Sequence, residues 1–436
     1  MTITVYSAGV VVPVTAPAVS NGAIAVRDGR IIHLGTRDWV LKMLADASGV
    51  VEVRWPGVLV PGLVNAHTHL QYTHMDQVGR RQYHGFDDWG DAFDLAYHAG
   101  AHDWRGSAAH GAELSLAAGV TGLADVVTDL EAVSALHDHG LRGAAYWEVY
   151  GWVNERWRRE GLARIEAELE QVPSTPAVGL SPHAPYSLDT EPLLDLPDLA
   201  RRRGARLHIH LGESTVEQLL AEDPQDDSWR TVDTESYRAL RRDGFAASAT
   251  DFVDQLGVLG PDCHIAHGVY LNEHDRAVLR ARMTAVALCP RSNRVIGLDD
   301  PPVAAYLSEG NPIAVGTDSL ASSPSLDLLA DVAVLYDIAR AQGYHGRDLA
   351  HRLLHAATLG GAVALGIATG ADRVGQLQVG SLADLAFVDV PADEGVAAAI
   401  ENVVRHGSGR VAATLVGGEL RWSGPAWSAL HDSAGV

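Results

Sequence analysis

Two cysteines in 436 residues, Cys263 and Cys289, are too few and too isolated for a disulfide framework, and neither belongs to a CxxC pair. That scarcity suits a reducing, cytoplasmic compartment. Lysine is scarcer still: Lys42 is the only one, and arginine supplies the other basic side chains. Chemistry that needs a lysine in the middle of the chain is excluded. Basic residues fall short of acidic ones, 33 against 55, and a formal net charge of -22 argues against binding a nucleic-acid backbone. No uninterrupted apolar run approaches the ~18 residues that cross a bilayer, and MTITVYSAGVVVPVTAP lacks the basic start of a signal peptide. Neither a GxGxxG fingerprint nor a GxxxxGKS/T phosphate loop occurs. The expected partner is a small molecule rather than nucleic acid or membrane, and a homodimer is compatible with the composition.

The apolar content of 47% is ample for one large α/β domain. The first 55 or so residues carry short alternating runs (ITVYSAGVVV, AIAVRDGRIIHLG, VVEVRW) between Gly and Asp turns, and the last 60 do the same (ADLAFVDV, AATLVGGELRW). That pattern predicts a small antiparallel sheet built from both chain ends. Between them, eight strand-like cores alternate with helical stretches: VLVPGLVNA, TGLADVV, RGAAYWEVY, AVGLSPHA, ARLHIHL, CHIAHGV, TAVALCP and PIAVGTD. Eight βα repeats over about 300 residues predict an α/β fold, a (β/α)8 TIM barrel over 59–371, with 1–58 and 372–436 forming a small β-sandwich domain. A doubly wound sheet is the alternative, but it leaves the terminal β segments without a partner. AEDPQDDSWRTVDTES, around 221–236, reads as an acidic surface insertion.

Most of the 21 histidines sit on helices or loops and need no functional account. Others stand at the C-terminal ends of the predicted strands, the face on which barrel enzymes build their sites. Strand one provides His67 and His69, strand four His183, strand five His208 and His210 with Glu213 following, strand six His264 and His267, and strand eight Asp318. Residues i and i+2 of a strand share a face, so His67 and His69 can converge on one point. A lone HxH pair is weak evidence, and Asp318 alone reads as a helix cap. Their recurrence at four strand ends, with apolar strand interiors, points to a divalent transition metal held by nitrogen and oxygen.

Taken together, PGLVNAHTHL, HIHLGES, CHIAHGVYL and VGTDSLAS resemble the amidohydrolase superfamily, in the branch of mononuclear-zinc nucleoside and nucleobase deaminases and triazine hydrolases. The resemblance implies that His67, His69, His210 and Asp318 bind one metal per chain, usually Zn2+ with Fe2+ or Mn2+ as alternatives. It further implies that Glu213 shuttles protons, that His267 orients the attacking water and that Asp318 accepts a proton. The two-metal members bridge their ions with a carboxylated lysine; Lys42, ahead of strand one, cannot serve. SPHAPYSL resembles the segment whose His183 counterpart touches the substrate base in S-adenosylhomocysteine and methylthioadenosine deaminases, and Asp88-Trp89 stands where those enzymes have Glu-Trp. CPRSNR is most similar to 6-aminodeoxyfutalosine deaminases of menaquinone biosynthesis, so Arg291 or Arg294 is expected near a substrate carboxylate, and Gln71 occupies a position where some of those enzymes carry an acid. The implied activity is that of a hydrolase releasing ammonia from a cyclic amidine. A guanine- or cytosine-type deaminase, a triazine chlorohydrolase and a metal-free scaffold are the competing readings.

Overall fold

The computed structural model describes residues 2–172, 177–215, 217 and 246–431; the acidic stretch at 221–236 lies outside them. Four strands come from the N-terminal segment: β1 (Ile3–Val11), β2 (Val19–Arg27), β3 (Arg30–Thr36) and β4 (Val50–Pro61). Eight follow in the middle: β5 (Leu63–Thr68), β6 (Val120–Val127), β7 (Arg142–Val149), β8 (Ala177–Pro182), β9 (Leu207–Leu211), β10 (Cys263–His267), β11 (Ala285–Leu288) and β12 (Ile313–Val315). Three close the chain: β13 (Leu385–Val388), β14 (Val411–Val416) and β15 (Glu419–Ser423).

The terminal strands form one seven-stranded sheet in the order β15-β14-β13-β4-β1-β2-β3. The β-sandwich expected from the sequence is thus a continuous sheet, with Tyr6, Ile24, Trp55, Leu59, Phe387 and Leu415 from both chain ends in a single apolar cluster. Its pairing departs from all-antiparallel at one place, where β1 runs parallel to β4. The reason lies in the connection: the helix Arg37–Met43, capped by the Thr36 hydroxyl at its N-terminus, crosses over between β3 and β4, and such a crossover returns the chain in the parallel sense.

The eight middle strands lie side by side in sequence order, β5 to β12, as the TIM barrel requires. All are buried along nearly their whole length, which explains why they read as apolar runs rather than as alternating patterns. One predicted strand is in fact two. VLVPGLVNA divides at Pro61-Gly62: Pro61 ends β4 in register with Leu385 of β13, and Gly62 donates to the Asp384 carbonyl before β5 begins. A proline has no N–H to continue the ladder, so the chain leaves one sheet and enters the other there. The chain divides into two compact units, one of 1–65, 112–123 and 326–436, the other of 66–111 and 124–325. No helix among the described residues is long and apolar enough to cross a membrane.

The ends of the barrel sheet meet where the backbone N–H groups of Thr317 and Asp318 both donate to the His67 carbonyl, at 3.1 and 3.0 Å. Gly316 makes this approach possible. A Cβ at that position would lie 2.7 Å from Cys289 Sγ and 2.8 Å from His67 Cβ. Gly316→Ala is therefore expected to destabilise the fold by about 1–3 kcal/mol through overpacking, read as a lowered denaturation midpoint. A midpoint equal to that of the parent would contradict this packing.

Candidate active site

Each strand end delivers its side chain by a specific local device. His67 leaves β5 pointing toward Asp318, its Nε2 3.5 Å from Asp318 Oδ1, and His69 Nε2 is 3.7 Å from the same oxygen. The other Asp318 oxygen accepts from the hydroxyls of Ser292 and Ser322, at 2.7 and 2.9 Å, while the Ser319 N–H donates to Oδ1. His210 on β9 donates from Nδ1 to the His183 carbonyl at 3.0 Å. A carbonyl can only accept, so the proton of His210 sits on Nδ1 and Nε2 is a bare electron pair. His267 makes a 3.2 Å bond from Nδ1 to the Asn293 side-chain oxygen, and its Nε2 lies 3.5 Å from Glu213 Oε1. Glu213 is held in turn by Glu217, whose carboxylate accepts the N–H groups of Gly212 and Glu213 at 2.8 and 2.9 Å.

Two of these residues hold backbone conformations that side chains other than glycine seldom adopt. His267 has φ 72° and Asp318 φ 59°. Such conformations cost of order 1–3 kcal/mol and persist where the surroundings over-determine them, commonly at functional sites. At Asp318 the double donation to His67 supplies that constraint; after His267, Gly268 donates to Leu211 and Val269 to Gly212.

Burial sets the charge states. Desolvation is the leading cause by which His69 is lowered to about 3 and His267 to about 4, and it takes His210 well below the usual imidazole range. These rings are neutral at pH 7. Asp318 goes the other way: burial would raise it, but the His67 bond and the neighbouring imidazoles hold it well below the ordinary carboxylate range. Glu213 is pushed well above that range by burial first, then by Asp318, Glu217 and Glu148, which favours its protonated form.

Neutral imidazole nitrogens beside an ionised carboxylate form the donor set of a divalent ion. The donor atoms of His67, His69 and Asp318 lie within 4.8 Å of one another, and so do those of His67, His210 and His267. His267 Nε2 is buried without a hydrogen-bond partner, which is uncommon for a buried polar atom. The residues fit a metal on both counts.

A cavity of about 380 Å³ opens on this group. His69, His183, His210, Glu213, His267 and Asp318 line it, as does Trp89, whose indole N–H donates to the Ala321 carbonyl at 2.9 Å. His183 is bonded through Nδ1 to Ser187 at 2.8 Å, and that hydroxyl donates to Ala184. Nδ1 is then the donor, and Nε2 an acceptor.

Three expected substrate contacts are not among the lining residues. Asp88 is turned back to accept the His84 N–H at 3.1 Å, as a short acid one turn into a helix does. Gln71 is fully buried and clamps the next strand end, receiving the Thr128 N–H at 2.9 Å and donating to the Thr128 hydroxyl at 2.7 Å. Arg291 donates to the hydroxyl and carbonyl of Ser325, at 2.7 and 2.8 Å, and Arg294 pairs with Asp300 at 2.8 Å. Conversely, Glu148, Tyr72, Tyr150 and Tyr186 line the cavity without having been singled out. Glu148 carried a legible signal: it stands at the end of YWEV, the β7 position equivalent to the strand ends that supplied the histidines.

The sequence profile of the amidohydrolase family matches residues 58–421. The chain belongs to the amidohydrolase family. As an amidohydrolase it is 28% identical over 404 residues to the 5-methylthioadenosine/S-adenosylhomocysteine deaminase of Moorella thermoacetica, covering 87% of this chain and 84% of that one. Its fold is similar to that of an adenosine deaminase from Xanthomonas campestris with bound zinc, at 23% identity and a TM-score of 0.77 over 99% of this chain and 96% of that one. It is also similar to that of Helicobacter pylori aminofutalosine deaminase in complex with methylthio-coformycin, at 20% identity and a TM-score of 0.78 over 96% and 99% of the two chains.

Behind the site, His67 Nδ1 lies 3.0 Å from His208 Nε2, a buried imidazole at the back of the His67 ring. Partners of this kind fix the tautomer of a ligand, and their removal typically costs 10–100-fold in metal affinity. His208→Phe is expected to weaken zinc by about that factor in a chelator competition. An affinity unchanged by the substitution would deny His208 that role.

Proposed function

We propose that this amidohydrolase is a metal-dependent aminohydrolase that exchanges the amino group of an adenine-type nucleoside for oxygen, releasing ammonia. The observation that carries the reading is a pair of carboxyls that face one cavity beside the imidazole group in divergent environments: burial and neighbouring acids push Glu213 upward, while the His67 bond holds Asp318 below the usual carboxylate range. Divergent environments for two titratable groups are what an acid and base pair requires. The Moorella relative, named for adenine nucleosides, supports the substrate class.

His67, His69, His210 and Asp318 would hold the ion, zinc by preference. A divalent ion bound by these residues supplies a Lewis acid able to bring the pKa of water from 15.7 toward ~7. Glu213 then delivers its proton to the ring nitrogen next to the amino-bearing carbon as the water oxygen adds. Asp318 accepts one proton from the water and passes it to the departing nitrogen, and as the carbonyl forms the second water proton leaves the oxygen and returns to Glu213, so water and amine are converted to carbonyl and ammonia in balance. His267, pinned at Nδ1 by Asn293, orients the water through Nε2. His183 offers an acceptor to the heterocycle, and Trp89 gives it an aromatic wall. Chloride departs without a proton whereas an amine needs one, so carboxyls placed to return a proton to the departing nitrogen favour deamination.

The narrower reading, 6-aminodeoxyfutalosine within menaquinone biosynthesis, rests on the CPRSNR likeness and needs a partner for the substrate carboxylate. Arg291 and Arg294 are engaged with Ser325 and Asp300, which weighs against it. An ammonia-release screen over adenosine, methylthioadenosine, S-adenosylhomocysteine, 6-aminodeoxyfutalosine, guanine and cytosine is expected to single out an adenine nucleoside. Turnover of a chlorotriazine with none of these would overturn the proposal. In the same assay Glu213→Gln should keep its metal and lose about 10²–10⁴ in rate; loss of the metal, or a near-parental rate, would remove Glu213 from its role as acid.

A further inference from the structure

The three imidazoles assigned to the metal are oriented by different means. His67 meets His208 through Nδ1 at 3.0 Å, and His210 donates from Nδ1 to the His183 carbonyl at 3.0 Å. A partner on one ring nitrogen fixes how the other is presented to an ion. His69 has no such support: its Nε2 faces Asp318, 3.7 Å away, and its Nδ1 is buried without a hydrogen-bond partner. Its direction therefore has to come from its backbone and from the Tyr72 ring stacked on it, 5.5 Å between centroids.

That backbone opens a 3-10 helix, Leu70–Met75, of which His69 is the N-cap residue. The first N–H groups of a helix lack partners within it, and the cap side chain commonly accepts one of them. His69 makes no such bond, because its ring is turned toward Asp318. The acceptor comes from a residue 55 positions further along the chain: Asp125, near the end of β6, takes the Leu70 N–H on Oδ1 at 2.8 Å. Asp125 is fully buried, and its Oδ2 has no hydrogen-bond partner. Burying a carboxyl with one oxygen unused costs more than burying an apolar side chain of that size, and among the described residues the one hydrogen bond of Asp125 is to the N–H that follows His69. Inside the turn, the Tyr72 N–H donates to the His69 carbonyl at 3.1 Å and the Thr73 hydroxyl to the Leu70 carbonyl at 2.7 Å, so the cap, the ligand and the stacked ring form one unit. We propose that Asp125 is a positioning residue of the metal centre: it caps the 3-10 helix from the neighbouring strand, in place of the cap that His69 does not supply, and thereby fixes the direction of the His69 ring. The inference rests on the reading of His69 as a ligand. It requires an accepting oxygen at Asp125, not a charge.

Zinc affinity of the full chain, measured by chelator competition, tests it. Asp125→Leu keeps the volume and removes the acceptor, and a loss of about 10–100-fold is expected. Asp125→Asn keeps an accepting oxygen and should bind zinc within about threefold of the parent. Thr36→Ala removes the cap of the helix Arg37–Met43; it should lower the denaturation midpoint and leave zinc affinity at the parental value, which separates loss of position from loss of a cap. Parental affinity in Asp125→Leu, an Asp125→Asn as weak as Asp125→Leu, or an equal loss in Thr36→Ala would overturn the inference. His69→Ala tells its failure apart from that of the ligand reading. If His69→Ala loses zinc and Asp125→Leu does not, the positioning role falls and the ligand reading stands; if His69→Ala binds zinc as the parent does, the ligand reading falls and the positioning role with it. Should Asp125→Leu not fold, hydrogen exchange at the Leu70 amide of the metal-free protein decides. Slow exchange in the parent that persists in Asp125→Asn sustains the inference, and exchange at the rate of an unprotected amide contradicts it.

Discussion

The carbonyl of His67 accepts two backbone N–H groups, those of Thr317 and Asp318, and the site hangs on that shared acceptor. It draws the last barrel strand onto the first, with Gly316 small enough to allow the contact. It also holds Asp318 in a left-handed conformation that an aspartate would not adopt freely. The result is a carboxylate 3.5 Å from one imidazole and 3.7 Å from another, although some 250 residues separate it from them in the chain. Ser292, Ser319 and Ser322 then fix the carboxylate orientation, leaving little reorganisation for the moment of reaction.

Desolvation performs the remaining work. Neutral His69, His210 and His267 arise because burial disfavours the protonated ring, and the same burial keeps a proton on Glu213. Asp318 escapes that tendency first through its bond to His67. One pocket thereby brings together imidazole nitrogens, an aspartate and a glutamate in contrasting environments, the combination that metal-assisted hydrolysis asks for. Glu217 belongs to the same scheme, since its bonds to the Gly212 and Glu213 N–H groups fix the turn that carries Glu213.

The barrel was legible in the sequence because its strands are buried on both faces and separated by helical stretches, so apolar runs and polar spacers alternate visibly. The convergence of the histidines and Asp318 was legible for a related reason: a histidine or aspartate closing an apolar strand has few structural uses. The passage from β4 to β5 was not, because Pro61-Gly62 sits inside one apolar run and no local pattern marks a change of sheet. Asp88, Gln71 and Arg291 illustrate a different limit. Their positions follow from motif likeness, but side-chain direction depends on the turn each occupies, and Gln71 is spent on Thr128, Arg291 on Ser325. Glu148 stands at a strand end as the histidines do, but a lone carboxylate closing YWEV belongs to none of the motifs that marked them.

X-ray absorption at the zinc edge of the protein loaded with one equivalent of zinc measures the central claim directly. The account predicts one ion per chain in a shell of nitrogen and oxygen alone, with three imidazoles at about 2.0–2.1 Å. A sulfur scatterer at about 2.3 Å, which would bring in a cysteine such as Cys289, or a second ion bound with equal affinity, would contradict it.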